Sequence, residues 1–304
     1  MSVYSERESQ PQKDLLISLG EWDPFHPKDV LIGMFKMLCD SHPNVASYES
    51  VGRDSGGKDI WLFKIGNPSG GRVMWDGALH GNEDFGSEII YFLTDWLLNS
   101  GDSYASRILQ RNYVLFIPSV LSRWDRSNYN TAYCSYGVNL NRNFKTGWRL
   151  LSCDSTEAYS GPEPLSEVEA RVLSAVWERF LPYYYVNLHQ GSTTRSYYSG
   201  AQTSKCTQAI SLMNSIAAEL GITPWTIGTI GSTGFSIGDA AAIYGAGSFL
   251  IELDPSWSHN DETWSRLVNE IFPKSKALFI AQCRICEVEA PEPLTLTFII
   301  RKKQ

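Results

Sequence analysis

The sequence predicts an α/β fold with a mixed, mainly parallel twisted sheet and helices on both faces. Segments with the pattern of strands alternate along the chain with segments of helical periodicity. Several of the strands, such as VMWDGAL and YYYVNL, are apolar on both faces. Such strands are typical of sheets that lie between two layers of helices. The length of 304 residues suits one large α/β domain or two small ones.

The first half of the chain is predicted to contain two helices and four strands. The first helix is indicated by Val30, Leu31, Met34 and Leu38, which share one side of a helix over 27–38. The turn sequence DSGG separates the first two strands. The predicted elements are strands over 45–51, 58–65, 72–79 and 113–120, and helices over 27–38 and 86–98.

The second half continues the alternation. Ser166 and Glu169 have the spacing of a capping box, which predicts a helix that begins there and ends near Phe180. The remaining predictions are strands over 183–188, 248–253 and 294–300, and helices over 203–219 and 262–283. We therefore divide the chain into an irregular lead-in over 1–26, a main domain over 27–286, and a tail over 287–304 that could add an edge strand.

Charge and hydropathy exclude several classes of partner. The formal net charge is −7, and the longest basic run is the short tail segment RKK. We therefore expect neither nucleic acid nor an anionic membrane as a partner. No apolar stretch reaches the ~18 residues that a membrane-spanning helix needs. The polar N-terminal segment has no apolar signal core, which favours a cytoplasmic location.

Two of the five histidines directly follow predicted apolar strands. They are His80 in GALHGNE and His189 in VNLHQGS, and Glu83 lies three residues after His80. In open α/β sheets, ligands bind beyond the carboxyl ends of the strands. Two imidazoles and one carboxylate with an open fourth position form a catalytic zinc set. The alternative for Glu83 is a polar loop residue that favours the dipole of the next helix.

The segment GVNLNRNF at 137–144 contains a candidate anion clamp. Arg142 is flanked by Asn141 and Asn143, and a guanidinium beside an amide is well suited to hold a carboxylate. The alternative is a surface loop with a helix-capping asparagine.

A lone carboxylate interrupts the apolar strand SFLIELD. Glu252 would be costly there unless it is paired or functional. In a dry pocket its pKa would rise, which suits a general base near neutral pH. The alternative is a carboxylate at the end of the sheet that faces water.

Five motifs in order carry a resemblance to a known family. The motifs HGNE, GVNLNRNF, YSGPEPLSEVEAR, NLHQGS and FLIELD resemble those of the zinc metallocarboxypeptidases of the carboxypeptidase A type, over residues from about 27 to 283. The resemblance implies the zinc carboxypeptidase fold for the domain over 27–286, and one Zn²⁺ per chain. It also implies hydrolysis of the C-terminal peptide bond of a peptide or peptide-like substrate with a free terminal carboxylate.

The resemblance also implies roles for individual residues. Asn141 and Arg142 would hold the substrate's terminal carboxylate, and Glu252 would act as general base on a zinc-bound water. The segment SRWDRSNYN offers Arg123 and Arg126 to polarise the scissile carbonyl, and Arg126 is favoured because it keeps an Arg-x-Asn pattern. The implied zinc ligands are His80, Glu83 and His189.

The sequence departs from the family pattern around the specificity pocket. Ile230 occupies the position where a tyrosine usually caps the substrate. Ile237 falls at the floor of the specificity pocket, which would favour apolar or aromatic C-terminal side chains. Asp239 lies two residues further on, and a small shift would make the pocket prefer basic ones.

The six cysteines leave the redox compartment open. Cys134 and Cys153 flank the clamp segment as a disulfide pair does in secreted members of the family, and their pairing would indicate secretion. Cys283 and Cys286 form a lone CxxC, without the second pair that a structural zinc site needs. We expect these two to be buried or unpaired thiols.

Two other functions compete with the carboxypeptidase. Amidases of the aspartoacylase or succinylglutamate desuccinylase kind share HGNE and a similar clamp, but they act on N-acyl amino acids. The YSGPEPLSEVEAR segment and the strand ending IELD favour the peptidase. The third alternative is a non-catalytic binding protein that keeps the fold and the pocket.

Overall fold

The sheet is mixed and its centre is parallel, as the sequence predicts. The computed structural model describes residues 25–121, 137–151, 159–191, 195–230, 237–254 and 258–289. Within these ranges one sheet contains eight strands. They are β1 (Ala46–Arg53), β2 (Asp59–Gly66), β3 (Gly71–Asp76), β4 (Asn112–Ile117), β5 (Tyr184–Gln190), β6 (Arg195–Ser199), β7 (Ile227–Ile230) and β8 (Gly247–Leu253).

The strand order is β1-β2-β4-β3-β5-β8-β6-β7. Strands β4, β3, β5 and β8 are consecutive and parallel. At the two sides, β1 and β2 pair antiparallel, and β6 is antiparallel to β8. The carboxyl ends of the central strands therefore meet at one edge of the sheet, where ligands of open α/β folds collect.

Helices cover both faces of this sheet. Along β3, Val73 and Trp75 belong to one hydrophobic core and Met74 to the other, so both faces are buried. The α-helices are α1 (Lys28–Ser41), α2 (Phe85–Asn99), α3 (Ser103–Arg111), α4 (Val168–Phe180), α5 (Thr203–Leu220), α6 (Ile237–Ala242), α7 (Asp261–Arg266) and α8 (Phe272–Glu289). One hydrophobic core contains residues of α1, α2, α5 and α8, and the other contains residues of α4 and α6.

The buried side of α1 is the predicted one except at Val30, since Leu31 is in the core and Met34 and Leu38 pack against it. Val30 is 51% exposed, whereas Leu31, Phe35 and Cys39 are buried. These three lie four residues apart, and Phe35 packs on Phe63 of β2 with ring centroids 4.9 Å apart. The side of α1 that carries Leu31, Phe35 and Cys39 therefore faces the sheet.

The predicted capping box at the start of α4 is wrong. The N-cap is Glu167, which has no side-chain capping bond. Its N–H instead donates to Oδ1 of Asn143, and Nδ2 of Asn143 lies 2.8 Å from Oγ of Ser166. The carboxylate of Glu169 accepts from the N–H of Ser55, in the β1–β2 turn. A hydrogen bond to Asn143, which is distant in sequence, therefore replaces the capping bonds predicted between neighbouring residues.

Several elements were not predicted from the sequence. They include α3, β6, β7 and α6. The last predicted helix is longer than expected, because α7, a π-helical segment (Leu267–Ile271) and α8 follow one another up to Glu289. The strand predicted over 294–300 lies outside the described residues. No helix in the described ranges is long and apolar enough to cross a membrane.

Candidate metal centre and substrate-binding site

The loop that carries His80 is anchored at the carboxyl edge of the sheet. After β3 ends at Asp76, the N–H of Gly77 donates to Ile117 at the end of β4. Ala78 then adopts a positive φ of 47°, an uncommon conformation for a residue with a Cβ. Its carbonyl accepts from the N–H of Leu121. These bonds fix the turn that presents His80 above β3.

Three predicted side chains meet at this edge. Nδ1 of His80 lies 2.7 Å from Oε1 of Glu83, and Nδ1 of His189 lies 2.7 Å from Oε2 of the same carboxylate. The two imidazole centroids are 5.0 Å apart. One ligand atom from each residue lies within 4.8 Å of the others. The structure therefore brings together, from two strands, the residues that the sequence nominates as zinc ligands.

The three groups stabilise one another electrostatically. Burial by itself would raise the pKa of Glu83, but the two adjacent histidines outweigh it and hold that pKa well below its usual range. Burial would likewise lower the pKa of His189, but Glu83 outweighs it and raises that pKa. The cluster thus favours an ionised carboxylate held between two imidazoles.

Asn139 orients the first imidazole, and sequence reasoning missed this residue. Its Oδ1 lies 3.1 Å from Nε2 of His80 and also accepts from the N–H of Asn141. An amide oxygen at Nε2 requires the proton there, so Nδ1 is the nitrogen that faces Glu83 and is available to a metal once its own proton is lost. The signal was present, because Asn139 lies two residues before Asn141 in GVNLNRNF.

The donor set fits a divalent zinc ion. Two imidazole nitrogens and one carboxylate oxygen converge, and the contacts that now join them use the same Nδ1 and Oε atoms that would bind a metal. A cation would replace the protons shared in those contacts. Three protein donors leave one position of a tetrahedral ion for water or substrate, the arrangement of catalytic rather than structural zinc sites.

Glu252 lies beside the cluster on the neighbouring strand. It is the register partner of His189 in the parallel pair β5–β8, so both side chains leave the same face of the sheet. Burial raises the pKa of Glu252, and the positive charges of His189 and Arg142 offset only part of that rise. A Cβ on Gly191 would lie 2.7 Å from Cδ of Glu252. Glycine at 191 therefore leaves room for the carboxylate.

The candidate clamp lies in a short 3₁₀ helix (Leu140–Arg142). Nη1 of Arg142 donates to the carbonyl of Asn141 at 3.0 Å, and Oδ1 of Asn141 accepts from the N–H of Ile237 at 2.8 Å. Ile237 is fully buried at the start of α6. The structure therefore joins Asn141 directly to the residue predicted at the pocket floor, and Arg142 to Asn141.

The structure describes only some of the other predicted residues. Asp239 is buried in α6 and accepts a hydrogen bond from Oγ of Ser199 at 3.0 Å. Ile230 ends β7, and its side chain is outside the described part of the chain. Cys283 and Cys286 are buried, as predicted. The predicted residues that lie outside the described ranges are Arg123, Arg126, Cys134 and Cys153.

A second buried carboxyl group lies on the strands that carry the cluster. Asp76 accepts from the hydroxyl of Tyr185 at 2.6 Å and from the amide of Asn187. Burial raises the pKa of Asp76 to about 7, and the two neutral donors together with the charge of His189 offset only part of that rise. Sequence reasoning missed this group as well.

Comparisons with known proteins found a matching family and several similar proteins. The family described as "Zinc carboxypeptidase" matches residues 32–249. The chain is similar to carboxypeptidase B of Astacus astacus, with 24% identity over 168 residues that cover 50% of this chain and 55% of that protein. It is also similar to the crystal structure of carboxypeptidase A from Helicoverpa armigera. That likeness has a TM-score of 0.67 and 17% identity, and covers 87% of this chain and 74% of the other.

A further relative is named as inactive. The chain is 24% identical over 177 residues to an "Inactive metallocarboxypeptidase" of Ajellomyces capsulatus, covering 50% of this chain and 29% of that protein. The aligned regions span about half or less of these curated relatives. The family match ends three residues before Glu252.

Proposed function

The chain belongs to the zinc carboxypeptidase family, and from that membership we propose that it hydrolyses the C-terminal peptide bond of a peptide or peptide-like substrate. One observation carries this proposal. At a single edge of the sheet, the His80–Glu83–His189 cluster lies beside a half-buried carboxylate, Glu252. This arrangement combines a candidate metal site with a base whose pKa is raised above that of an ordinary glutamate.

The cluster residues would hold one Zn²⁺ per chain. When bound, the ion would act as a Lewis acid towards water and the scissile carbonyl. Glu252 would take a proton from the attacking water and deliver it to the leaving amine. Its raised pKa suits both transfers, since a base with an ordinary glutamate pKa would give up the proton too readily to accept it at neutral pH.

The clamp would determine where the substrate lies. Arg142 and the amide of Asn141 would bind the terminal carboxylate, and the buried Ile237 would form the floor under the C-terminal side chain. An apolar floor favours apolar or aromatic C-terminal residues. We assign the polarisation of the scissile carbonyl to Arg126. Holding the terminal carboxylate and the scissile carbonyl in place would position the scissile bond for attack, which is a contribution of proximity and orientation to catalysis.

Two alternatives remain as outcomes of the test. An amidase acting on N-acyl amino acids would use the same cluster, but the relatives found are carboxypeptidases. A non-catalytic protein is the second, because some relatives are named inactive. The presence of both the ligand cluster and Glu252 favours an active enzyme.

The first prediction tests the proposed base. Zinc-loaded protein and its Glu252→Gln variant are incubated with a mixed peptide library and with N-acyl amino acids, and the products are measured by mass spectrometry. We expect the wild-type protein to shorten peptides by one residue. The variant should bind zinc normally but lose turnover by about 10²- to 10⁴-fold, since proton transfer is removed.

The matched control is Glu178→Gln, a neutralised carboxylate on the exposed side of α4. It should retain full activity. Near-normal turnover in the zinc-bound Glu252→Gln variant would show that Glu252 is not the base. Cleavage of N-acyl amino acids alone would favour the amidase, and no cleavage of either substrate class would favour a binding protein.

The second prediction tests the clamp. Arg142→Lys should raise KM for free-acid peptides by about 10- to 100-fold, because lysine cannot form the bidentate pair with a carboxylate. The comparison uses matched peptides with free and amidated C-termini. Wild-type protein should strongly prefer the free acid, and the variant should lose most of that preference. Equal activity of wild-type protein on both peptides would contradict the assignment.

A further inference from the structure

The proposed zinc ligands come from two separate segments of the chain. Glu83 lies between β3 and α2, whereas His189 lies in β5, 106 positions further along. The contact between these two side chains fixes a distance, but it does not fix the backbone that carries Glu83. Metal ligands are held in their orientation by groups outside the ligand set. Such groups are therefore expected beside the backbone of Glu83.

The segment after Glu83 crosses the carboxyl end of β5. Successive side chains of a strand leave opposite faces of the sheet, so His189 leaves one face and Leu188 and Gln190 leave the other. His189 contacts the carboxylate of Glu83. On the other face Gly86 packs on Leu188, because a Cβ at this glycine would lie only 2.6 Å from Cβ of Leu188. The chain therefore passes from one face to the other between Glu83 and Gly86.

Gln190 adds a direct bond between β5 and this crossing. Its Oε1 accepts from the N–H of Phe85 at 3.1 Å, although the two residues are 105 positions apart. Phe85 is the first residue of α2 and is fully buried. The first N–H groups of a helix have no acceptor within the helix, and buried N–H groups need one. Gln190 provides such an acceptor from the strand that carries His189.

The N-cap residue of α2 is engaged elsewhere. This residue is Asp84, and its side chain makes no capping bond to the helix. Its carboxylate instead pairs with Nε2 of His259 at 3.1 Å, two residues before α7. The amide of Gln190, and not the local carboxylate, therefore accepts from the beginning of α2.

The sheet fixes the position of Gln190 itself. In the parallel pair β5–β8, Gln190 is the register partner of Leu253, directly after the pair formed by His189 and Glu252. An amide at this position ties the backbone beside Glu83 to the same two strands that carry the third proposed ligand and the proposed base. Any displacement of that backbone would move the Glu83 carboxylate relative to both.

We propose that Gln190 is a positioning residue of the metal centre. Its side-chain oxygen holds the N–H of Phe85 and thereby holds the carboxylate of Glu83 against His189. Gln190 acts through Glu83 and is not itself a ligand of the ion. The proposal rests on the zinc site of the proposed function, and it adds a residue that lies outside the ligand cluster.

Zinc affinity, measured by competition with a chelator, tests the proposal without any peptide substrate. Gln190→Met keeps the length of the side chain but removes the acceptor. We expect zinc affinity to fall by about 10- to 100-fold, the usual effect of losing a group that orients a ligand. Gln190→Glu retains an oxygen at the same position and should keep zinc affinity at or above the wild-type value.

Substitution of zinc by Co²⁺ reports on geometry, which a general loss of stability would not change. The visible absorption of bound Co²⁺ depends on the arrangement of its ligands. At saturating Co²⁺ we expect Gln190→Met to show an altered spectrum and Gln190→Glu to restore the wild-type spectrum. Hydrogen exchange of the Phe85 N–H should be at least tenfold faster in Gln190→Met than in wild-type protein.

The matched control is Gln202→Met. It removes another half-buried glutamine, whose Nε2 donates to the carbonyl of Ala242 at the end of α6. This variant should change zinc affinity less than twofold. If Gln190→Met does not fold, Gln190→Asn withdraws the oxygen by one methylene group and should lower zinc affinity at least threefold.

The results separate this proposal from the proposed function. Wild-type zinc affinity and an unchanged Co²⁺ spectrum in Gln190→Met would overturn the positioning role and leave the zinc site intact. An equal loss of affinity in Gln202→Met, or a loss in Gln190→Glu as large as that in Gln190→Met, would also overturn the positioning role. No zinc binding by wild-type protein would overturn the proposed function and the positioning role together.

Discussion

Glu83 and Asp76 are both buried carboxyl groups near the same two strands, and their pKa values move in opposite directions. Glu83 contacts two imidazoles, and its pKa lies well below the usual range, although burial opposes this. Asp76 contacts the neutral donors Tyr185 and Asn187, and burial raises its pKa to about 7. Hydrogen bonds from neutral groups do not replace a positive charge in a buried site. The same edge of the sheet thus holds an anion ready for a metal and a carboxyl group that retains its proton.

The surroundings of Asp76 agree with a protonated carboxyl group. Oδ1 of Asn187 is buried and lacks a hydrogen-bond partner within the described ranges. The oxygen and nitrogen of an amide are assigned from their contacts, and the two can exchange by rotation. With Asn187 rotated, a protonated Asp76 would donate to that oxygen. The hydrogen bonds among Asp76, Tyr185 and Asn187 can therefore be satisfied whether Asp76 is ionised or protonated.

The largest expected effect breaks the cluster. His189→Ala removes one donor and one positive charge from Glu83, and we expect zinc affinity to fall by more than about 100-fold. Loss of a partner that only orients a ligand typically costs 10- to 100-fold, and loss of the ligand itself costs more. The measurement is competition with a chelator. His42→Ala is the control, because His42 bonds to the carbonyl of Leu38 at the end of α1. Unchanged zinc affinity in His189→Ala would refute the ligand assignment.

The next effect concerns the pH dependence of stability. Between pH 4 and 7 the folded protein keeps a proton on Asp76 that the unfolded chain loses, so the free energy of unfolding falls as pH rises. This contribution has a slope of up to about 1.4 kcal/mol per pH unit. Asp76→Asn should remove it, since asparagine does not titrate and a rotated Asn187 can accept from its amide.

Chemical denaturation of zinc-saturated protein at several pH values between 4.5 and 7.5 measures this difference. The variant should become more stable relative to wild-type protein as pH rises, and other titrating groups cancel in the comparison. Two parallel stability curves would mean that Asp76 is already ionised in the folded protein at pH 4.5.

The smallest expected effect separates two adjacent tyrosines. Tyr185→Phe removes a donor to Asp76 and should cost about 1–2 kcal/mol at pH 7.5 and less at pH 4.5, because hydrogen bonds to charged acceptors are stronger. Tyr184 is equally buried, but its hydroxyl donates to the carbonyl of Lys205. Tyr184→Phe should therefore show a cost that does not change with pH. A pH-independent cost in both variants would contradict the proposed titration of Asp76.

The sequence was informative where a functional residue follows a recognisable local pattern. His80 and His189 could be found because each ends an apolar stretch of sequence. In the structure His80 lies four residues after β3 and His189 lies near the end of β5, and the parallel pairing of these strands brings the two together. Glu252 stood out because a carboxylate is costly in an apolar strand. The parallel centre of the sheet followed from strands that are apolar on both faces.

What could not be predicted depends on contacts between distant polar residues. Asn139 meets His80 across 59 positions, and Asp76 meets Tyr185 across 109. Asparagine, aspartate and tyrosine occur in many environments, so no local pattern distinguishes these partners. The same reason explains the false capping box, because the amide that serves α4 belongs to Asn143, more than 20 residues away.

X-ray diffraction from zinc-loaded crystals, collected at the zinc absorption edge, tests the central claim most directly. The account predicts one anomalous peak per chain, within coordination distance of Nδ1 of His80, the carboxylate of Glu83 and Nδ1 of His189. The absence of a peak there, or a single peak elsewhere such as at Cys283 and Cys286, would contradict it.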